Sequence, residues 1–221
     1  MWQRFSPFQL FLFLFVLAFL LAFIQLGILS IVFDKLELSL TGAYLLLLGS
    51  LFGSAINLPV LTVQSEVPMQ KMPSSLWRLL RMNHLVFEGK TVIAVNVGGC
   101  IIPLGFSLYL LSNTAVGFSH ALLGIAVVSI VSYVSSRPIQ GLGIGMPLLI
   151  APFSAALAAL LIDPIHSAPL AYISGTLGVI IGADLLHLKD IRQMGTPIAS
   201  IGGAGTFDGI FITGIVAVLL A

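Results

Sequence analysis

Long apolar stretches separated by short polar breaks run the length of this chain. About 20 apolar residues cross a bilayer as a helix, and seven segments approach that length: 8–33, 39–63, 91–112, 115–134, 146–162, 168–188 and 200–221. No charged residue occurs from Phe5 to Phe33, a run of 29 residues. That is too long for the apolar region of a secretory signal, so the first stretch reads as a retained span. The pattern predicts an all-α fold: a polytopic transmembrane helix bundle of about seven spans, forming a single integral membrane domain over residues 1–221. Two spans look interrupted by glycine, at Asn96-Val97-Gly98-Gly99-Cys100-Ile101-Ile102-Pro103 and across 201–209. Irregular backbone at membrane depth is tolerated only where protein or a wet cavity surrounds it. Both segments carry a polar side chain beside a glycine pair, so they are expected to face one interior site. A third punctuated stretch, from Gly141 to Pro147, leads into the fifth span. The pairs Gly49/Gly53 and Gly178/Gly182 have the spacing that lets helices approach closely.

Composition agrees with the pattern. The 221 residues are 58% hydrophobic and 8% charged, against about 25% charged in a soluble domain. The lipid bilayer is therefore the expected partner. A net charge of +1 gives no reason to expect nucleic acid. The lone Cys100 offers no intrachain disulfide or paired-cysteine motif. His84, His120, His166 and His187 have no metal-ligand spacing, and no cofactor is expected. The basic residues set orientation. With the N-terminus in the cytoplasm, Arg4, Lys71, Arg78, Arg81, Lys90, Arg137, Lys189 and Arg192 all fall inside, and only Lys35 falls outside. By the positive-inside rule the C-terminus is then outside. The long 64–90 connection becomes a cytoplasmic loop, whose Ser74-Ser75-Leu76-Trp77-Arg78-Leu79-Leu80-Arg81-Met82 reads as a short interfacial helix.

The candidate chemistry lies in two aspartates within the last two apolar stretches, Asp184 and Asp208. A carboxylate in a bilayer costs several kcal/mol and is a functional-site hypothesis by default. Asp184 stands five residues before Lys189, roughly 7 Å from the cytoplasmic edge, and Asp208 about 12 Å deep in the next span. Consecutive antiparallel helices would let the two carboxyls meet. A close pair in a low dielectric shares a proton, so that one member activates water while the other protonates or polarises a carbonyl. Gly202, Gly203, Gly205 and Thr206, with Asn96 and Pro147, are the expected substrate-facing residues. Simpler roles remain open at this point: Asp208 as a helix cap, and Asp184 paired with Lys189 or Arg192. Asp163 reads as a turn residue in an outer loop, and Glu88 as solvated.

The stretches Ile181-Gly182-Ala183-Asp184-Leu185-Leu186 and Ala199-Ser200-Ile201-Gly202-Gly203-Ala204-Gly205-Thr206-Phe207-Asp208-Gly209-Ile210-Phe211 resemble a family of uncharacterised bacterial and archaeal membrane proteins, domain-of-unknown-function family 1614. Val95-Asn96-Val97-Gly98-Gly99 and 141–147 fit the same resemblance, which covers most of the chain. It implies the cell membrane of a prokaryote and no established activity. A looser similarity is to the intramembrane aspartyl proteases of the presenilin and signal-peptide-peptidase group. That similarity implies one catalytic Asp on a helix entering the cytoplasm, here Asp184, and a second after a Gly-x-Gly element on the next helix, here Asp208. Thr206 and Phe207 interrupt the Gly-Asp junction, Pro147 precedes rather than follows the aspartates, and seven spans fall short of the group's nine. The leading expectation is an aspartyl-type hydrolase acting on a transmembrane peptide near the cytoplasmic face. The alternatives are a small proton- or cation-coupled transporter or channel, and a non-catalytic membrane scaffold.

Overall fold

The computed structural model describes residues 13–19, 27–66, 89–139, 143–203 and 207–221. Helix α1 (Ile28–Lys35) leads to α2 (Leu40–Gly53). Ser39 starts α2 by accepting the Gly42 N–H on its side chain at 3.2 Å, satisfying one of the orphan donors of a helix start. Strands β1 (Asn57–Gln64) and β2 (Lys90–Asn96) follow. A π-helical turn (Val97–Ile101) then runs into α3 (Ile102–Asn113), with Pro103 in its first turn, where a missing N–H costs nothing. Next come α4 (Phe118–Ser135), the short β3 (Arg137–Ile139) and β4 (Gly143–Gly145), and α5 (Ile150–Ile162). Helix α6 (Ser167–Val179) passes into a second π-helical turn (Ile180–Leu185). A 3-10 turn (Asp190–Gln193), β5 (Ile198–Ile201) and α7 (Phe207–Leu220) complete the described chain.

The fold is mostly helical but not all-α. Strand β1 pairs antiparallel with β2, and β2 pairs parallel with β5; β3 and β4 form a separate hairpin. The expected span 39–63 is thus a 14-residue helix followed by a strand, and the expected span 91–112 opens in a strand. The physical reason lies in the side chains. Val60, Thr62 and Val63 in β1, and Thr91, Val92, Ile93 and Val95 in β2, are β-branched residues that suit a pleated strand. A hydropathy window registers only that they are apolar. The glycine-punctuated stretch leading into the fifth span likewise holds strand β4, and the helix of that span begins at Ile150. The interfacial helix expected at 74–82 lies outside the described residues.

Among the described residues two helices are long and apolar enough to cross a membrane, Phe118–Ser135 and Ser167–Leu185. They are used differently. The second is 78% buried inside the protein and the first 28%. Helix α6 is the hub, packing against α3, α4, α5 and α7. Its buried side chains are mainly small or hydroxylic: Ala168, Ala171, Ser174, Gly175, Thr176, Gly178. The expected close-packing glycines do sit at crossings. Gly178 faces Val128 and Gly182 faces the Ser129 backbone of α4, while Gly53 of α2 lies against Gly98.

The connections sort to opposite ends of the bundle. At one end Val63 of β1, Ile93 of β2, Ile144 of β4, Leu188, Ile191, Met194 and Ile201 pack together under the sheet. The other end gathers Lys35, Asn113, Ile165 and Ala221 around a cavity of about 440 Å³. There the Lys35 ammonium donates to the Val218 carbonyl at 3.2 Å, a cation placed on the last carbonyls of α7.

Candidate functional site

The site is built where β2 and β5 hand over to helices. Beyond β5 the chain reverses at Gly202, whose φ of +68° lies in the left-handed region that favours glycine. Its backbone rests on that of Gly99 in the first π-helical turn. A Cβ on Gly202 would stand 2.5 Å from the Gly99 carbonyl carbon, and one on Gly99 would strike the Gly202 carbonyl oxygen. On its other side Gly98 is pressed against the Ser50 carbonyl and Ser54 amide of α2. Three segments therefore cross backbone to backbone, and no side chain larger than hydrogen fits between them.

Asn96 holds this crossing. Its Oδ1 accepts the Gly99 N–H at 2.7 Å, and its amide donates to the Ser54 carbonyl at 2.7 Å and to Asn57 Oδ1 at 3.0 Å. Ser200 of β5 donates to the same Asn57 oxygen. Both Asn96 amide protons are committed to protein partners, so the structure shows it as a clamp joining α2, β1 and the π turn.

Asp184 sits in the second π-helical turn and is 4% exposed. Its Oδ2 accepts the Gly202 N–H at 2.8 Å. Among the described residues no ion pair joins it to Lys189 or Arg192, which removes its simplest structural role; the ion pairs present all involve Asp163. Around it lies an apolar cluster of Cys100, Ala151, Val179, Ile180, Ala183 and Ile210. Turns with i to i+5 bonding recur at functional sites, because they displace side chains from regular helix positions. Here one such turn supplies Asp184 and the other supplies the glycine floor beneath Gly202. His187 braces the second turn: its Nδ1 lies 3.2 Å from the Gly182 carbonyl, and its ring lies 4.7 Å from that of Tyr133.

The structure thus brings Asp184, Gly202 and Asn96 into one region, and it joins the two glycine-interrupted segments, as the sequence leads one to expect. Gly203 is buried beside them, its N–H donating to the Ser200 carbonyl at 3.0 Å. Pro147 is exposed before α5, and its neighbour Met146 packs on the Cys100 cluster. Gly205 and Thr206 lie outside the described residues, as does the side chain of Asp208. The Asp208 backbone belongs to the first turn of α7, and Ile210, two residues on, joins Ala183 and Cys100 in the same cluster. Reading the sequence missed Asn57 and Ser200, which required the strands to be recognised. Among the described residues no group of three His, Cys, Asp or Glu side chains is arranged to hold a metal ion.

A second buried carboxylate, Asp163, stands at the far end after α5. It accepts the His166 N–H at 3.2 Å, and the Nδ1 atoms of His120 and His166 lie 3.2 and 3.1 Å from its Oδ2. Desolvation works against its charge, but the His166 amide and the two imidazoles outweigh it and hold the carboxyl below the ordinary carboxylate range. The loop position expected for Asp163 is observed, with a larger bonding role than a turn requires.

The chain belongs to the family described as protein of unknown function, DUF1614, which matches residues 51–220. The matched region includes both π-helical turns, Gly202 and both aspartates. No curated protein and no solved structure matches the chain.

Proposed function

We propose that this is a multi-pass prokaryotic membrane protein in which Asp184 and Asp208 form an aspartyl-type hydrolytic site near the cytoplasmic face. The bilayer assignment rests on the surface. Large apolar side chains stand exposed on each outer helix: Leu40 and Leu45 on α2, Leu104 and Leu108 on α3, Leu122 and Ile130 on α4, Phe153 and Leu157 on α5. Soluble monomers rarely expose contiguous apolar patches beyond a few hundred Å². A seven-span arrangement with a cytoplasmic N-terminus is supported by charge. Among the described residues Lys90, Arg137, Lys189 and Arg192 belong to the sheet-end connections, whereas Asp34, Glu37 and Asp163, with Lys35 as the one Lys or Arg, belong to those of the far end. The sheet end is then cytoplasmic.

One observation carries the chemistry: among the described residues, a buried carboxylate is held by a single backbone N–H, with no cation beside it. A group so placed costs stability without structural return, which is the signature of a working residue. Ile210, two residues beyond Asp208 in the first turn of α7, packs in the same cluster, which supports a site shared by the two aspartates. Strand β5 suggests what is cut. It ends at Gly202, and among the described residues only one of its edges is paired. An extended peptide added there would run toward Asp184.

Cleavage of transmembrane test peptides by purified, reconstituted protein checks this reading. Asp184→Asn and Asp208→Asn should each abolish it; equal cleavage by both variants and the parent sinks it. A second reading, proton- or cation-coupled transport, draws on the interrupted helices that meet at a buried carboxylate. Flux into proteoliposomes that is lost in Asp184→Asn, without any peptide cleavage, would decide for it.

A further inference from the structure

We propose that the cavity at the end of the bundle away from the sheet binds a small zwitterion, a primary ammonium a few bonds from an oxyanion. It is met either free in solution or as the headgroup of an ethanolamine phospholipid. The hollow of about 440 Å³ has the size of a small-molecule site. Lys35 and Asn113, the last residues of α1 and α3, both line it. Helix C-termini leave carbonyls unbonded and carry partial negative charge, so two of them at one cavity favour a cation. The Lys35 ammonium is turned onto α7, where it donates to the Val218 and Leu219 carbonyls at 3.2 and 3.4 Å. Of its three N–H groups one is left over.

Glu37 is the sharper signal. Helix α1 ends in two reverse bonds, Glu37 N–H to the Asp34 carbonyl at 3.1 Å and Leu38 N–H to the Phe33 carbonyl at 2.9 Å. Leu38 packs with Phe33 in the same core cluster. In a cap of this kind the residue just past the end is left-handed and is usually glycine. Here it is a glutamate with φ +54°, the one non-glycine residue at positive φ among the described residues. A side chain kept where glycine would be unstrained points to a use for that side chain. Glu37 lines the cavity, is exposed, and forms no side-chain hydrogen bond or ion pair among the described residues. A free acid and a partly committed base thus share one hollow without neutralising each other. A zwitterion serves both: its oxyanion accepts the remaining Lys35 N–H, and its ammonium donates to the Glu37 carboxylate. A quaternary ammonium has no N–H to donate, which separates this class from choline. Ile165, 87% exposed on the cavity wall, is an apolar exit for the chains of a lipid. The inference goes beyond the reading of Asp184, which lies toward the sheet end.

Two measurements on the purified full chain test this without reference to activity. The first is the melting temperature in detergent under titration with O-phosphoethanolamine or phosphocholine. The second is the ratio of phosphatidylethanolamine to phosphatidylcholine that the protein retains from equimolar mixed micelles. A saturable rise with O-phosphoethanolamine, or a several-fold enrichment of the ethanolamine lipid, upholds the site, and whichever appears identifies the source. Neither effect, or equal effects from the choline compounds, overturns it. Glu37→Gly removes the carboxylate and the backbone strain together. That variant should melt no lower than the parent while binding falls by about ten-fold or more, the loss of one charge-assisted hydrogen bond. Asp34→Asn, at the neighbouring exposed acid that does not line the cavity, should bind as the parent does. Parental binding by Glu37→Gly overturns the proposal. Glu37→Gln, which keeps the size of the side chain, carries the same test should the glycine variant fail to fold.

Discussion

Asp163 and Asp184 are both buried carboxylates in one small protein, and they are treated in opposite ways. Asp163 has a backbone N–H and two imidazoles within 3.2 Å, at the end of the bundle where helices give way to a loop. Among the described residues Asp184 has one backbone N–H, from Gly202, in an apolar junction. The first arrangement returns its desolvation cost as hydrogen bonds that tie α4 to the α5–α6 turn. The second returns little, because one neutral donor does not compensate a desolvated charge. A carboxylate that holds structure together collects partners, and among the described residues Asp184 has not collected them. The same contrast separates α6 from α4. The buried hub is lined mainly by small residues that let neighbours close in, whereas the outer helix leaves bulky ones such as Leu122 and Ile130 exposed.

The largest effect on stability is expected at the floor of the Asp184 site, where the backbones touch. Gly202→Ala combines a strained φ with a clash against Gly99 and should cost about 3 kcal/mol, read as a lowered melting temperature of the detergent-solubilised protein. A Gly202→Ala variant with parental stability would mean that the crossing is looser than described. Removing the partnered carboxylate comes next. Asp163→Ala strands the His166 N–H and should cost about 1–2 kcal/mol. Its pH dependence has a definite sign. Because the folded state lowers the Asp163 pKa, the stabilisation is fully present above the unfolded value of about 3.9 and is lost as pH falls through the lower folded one. The melting difference between parent and Asp163→Ala should therefore be constant at neutral pH and close below about pH 4. A gap that instead widens on acidification would remove the carboxylate as its source. The smallest effect on stability is expected at the under-partnered carboxylate. Asp184→Asn keeps an oxygen for the Gly202 N–H and relieves a buried charge, so stability should hold or rise by up to about 1 kcal/mol, while any activity disappears. A loss as large as that of Asp163→Ala would make the two aspartates alike and erase the contrast.

Much of this arrangement was legible in the chain. The Gly98-Gly99 and Gly202-Gly203 pairs signalled the two interruptions that meet, and Asp184 stood out as a lone charge in an apolar run. The strands were not legible by the same means. A hydropathy window treats Val92-Ile93-Ala94-Val95 as it treats any apolar helix segment, and only its β-branched density could have indicated a strand. The π-helical turns leave no mark in composition, since their extra residue is absorbed without proline and shows only in bonds such as Leu186 N–H to the Ile181 carbonyl. The partners of Asp163 were hidden for another reason. His120 is 43 residues away from it in sequence, and only the packing of α4 against the α5–α6 turn joins them.

Whether Asp184 and Asp208 share one site is read from the proximity of the two positions. In a Cys100→Ala background, the pair Asp184→Cys and Asp208→Cys is treated with a mild oxidant or a short bis-thiosulfonate linker. The contacting pair Asn57→Cys and Ser200→Cys serves as the positive control. A shared site predicts an intramolecular cross-link between positions 184 and 208 as complete as in the control. A control that closes while 184 and 208 stay free would contradict it.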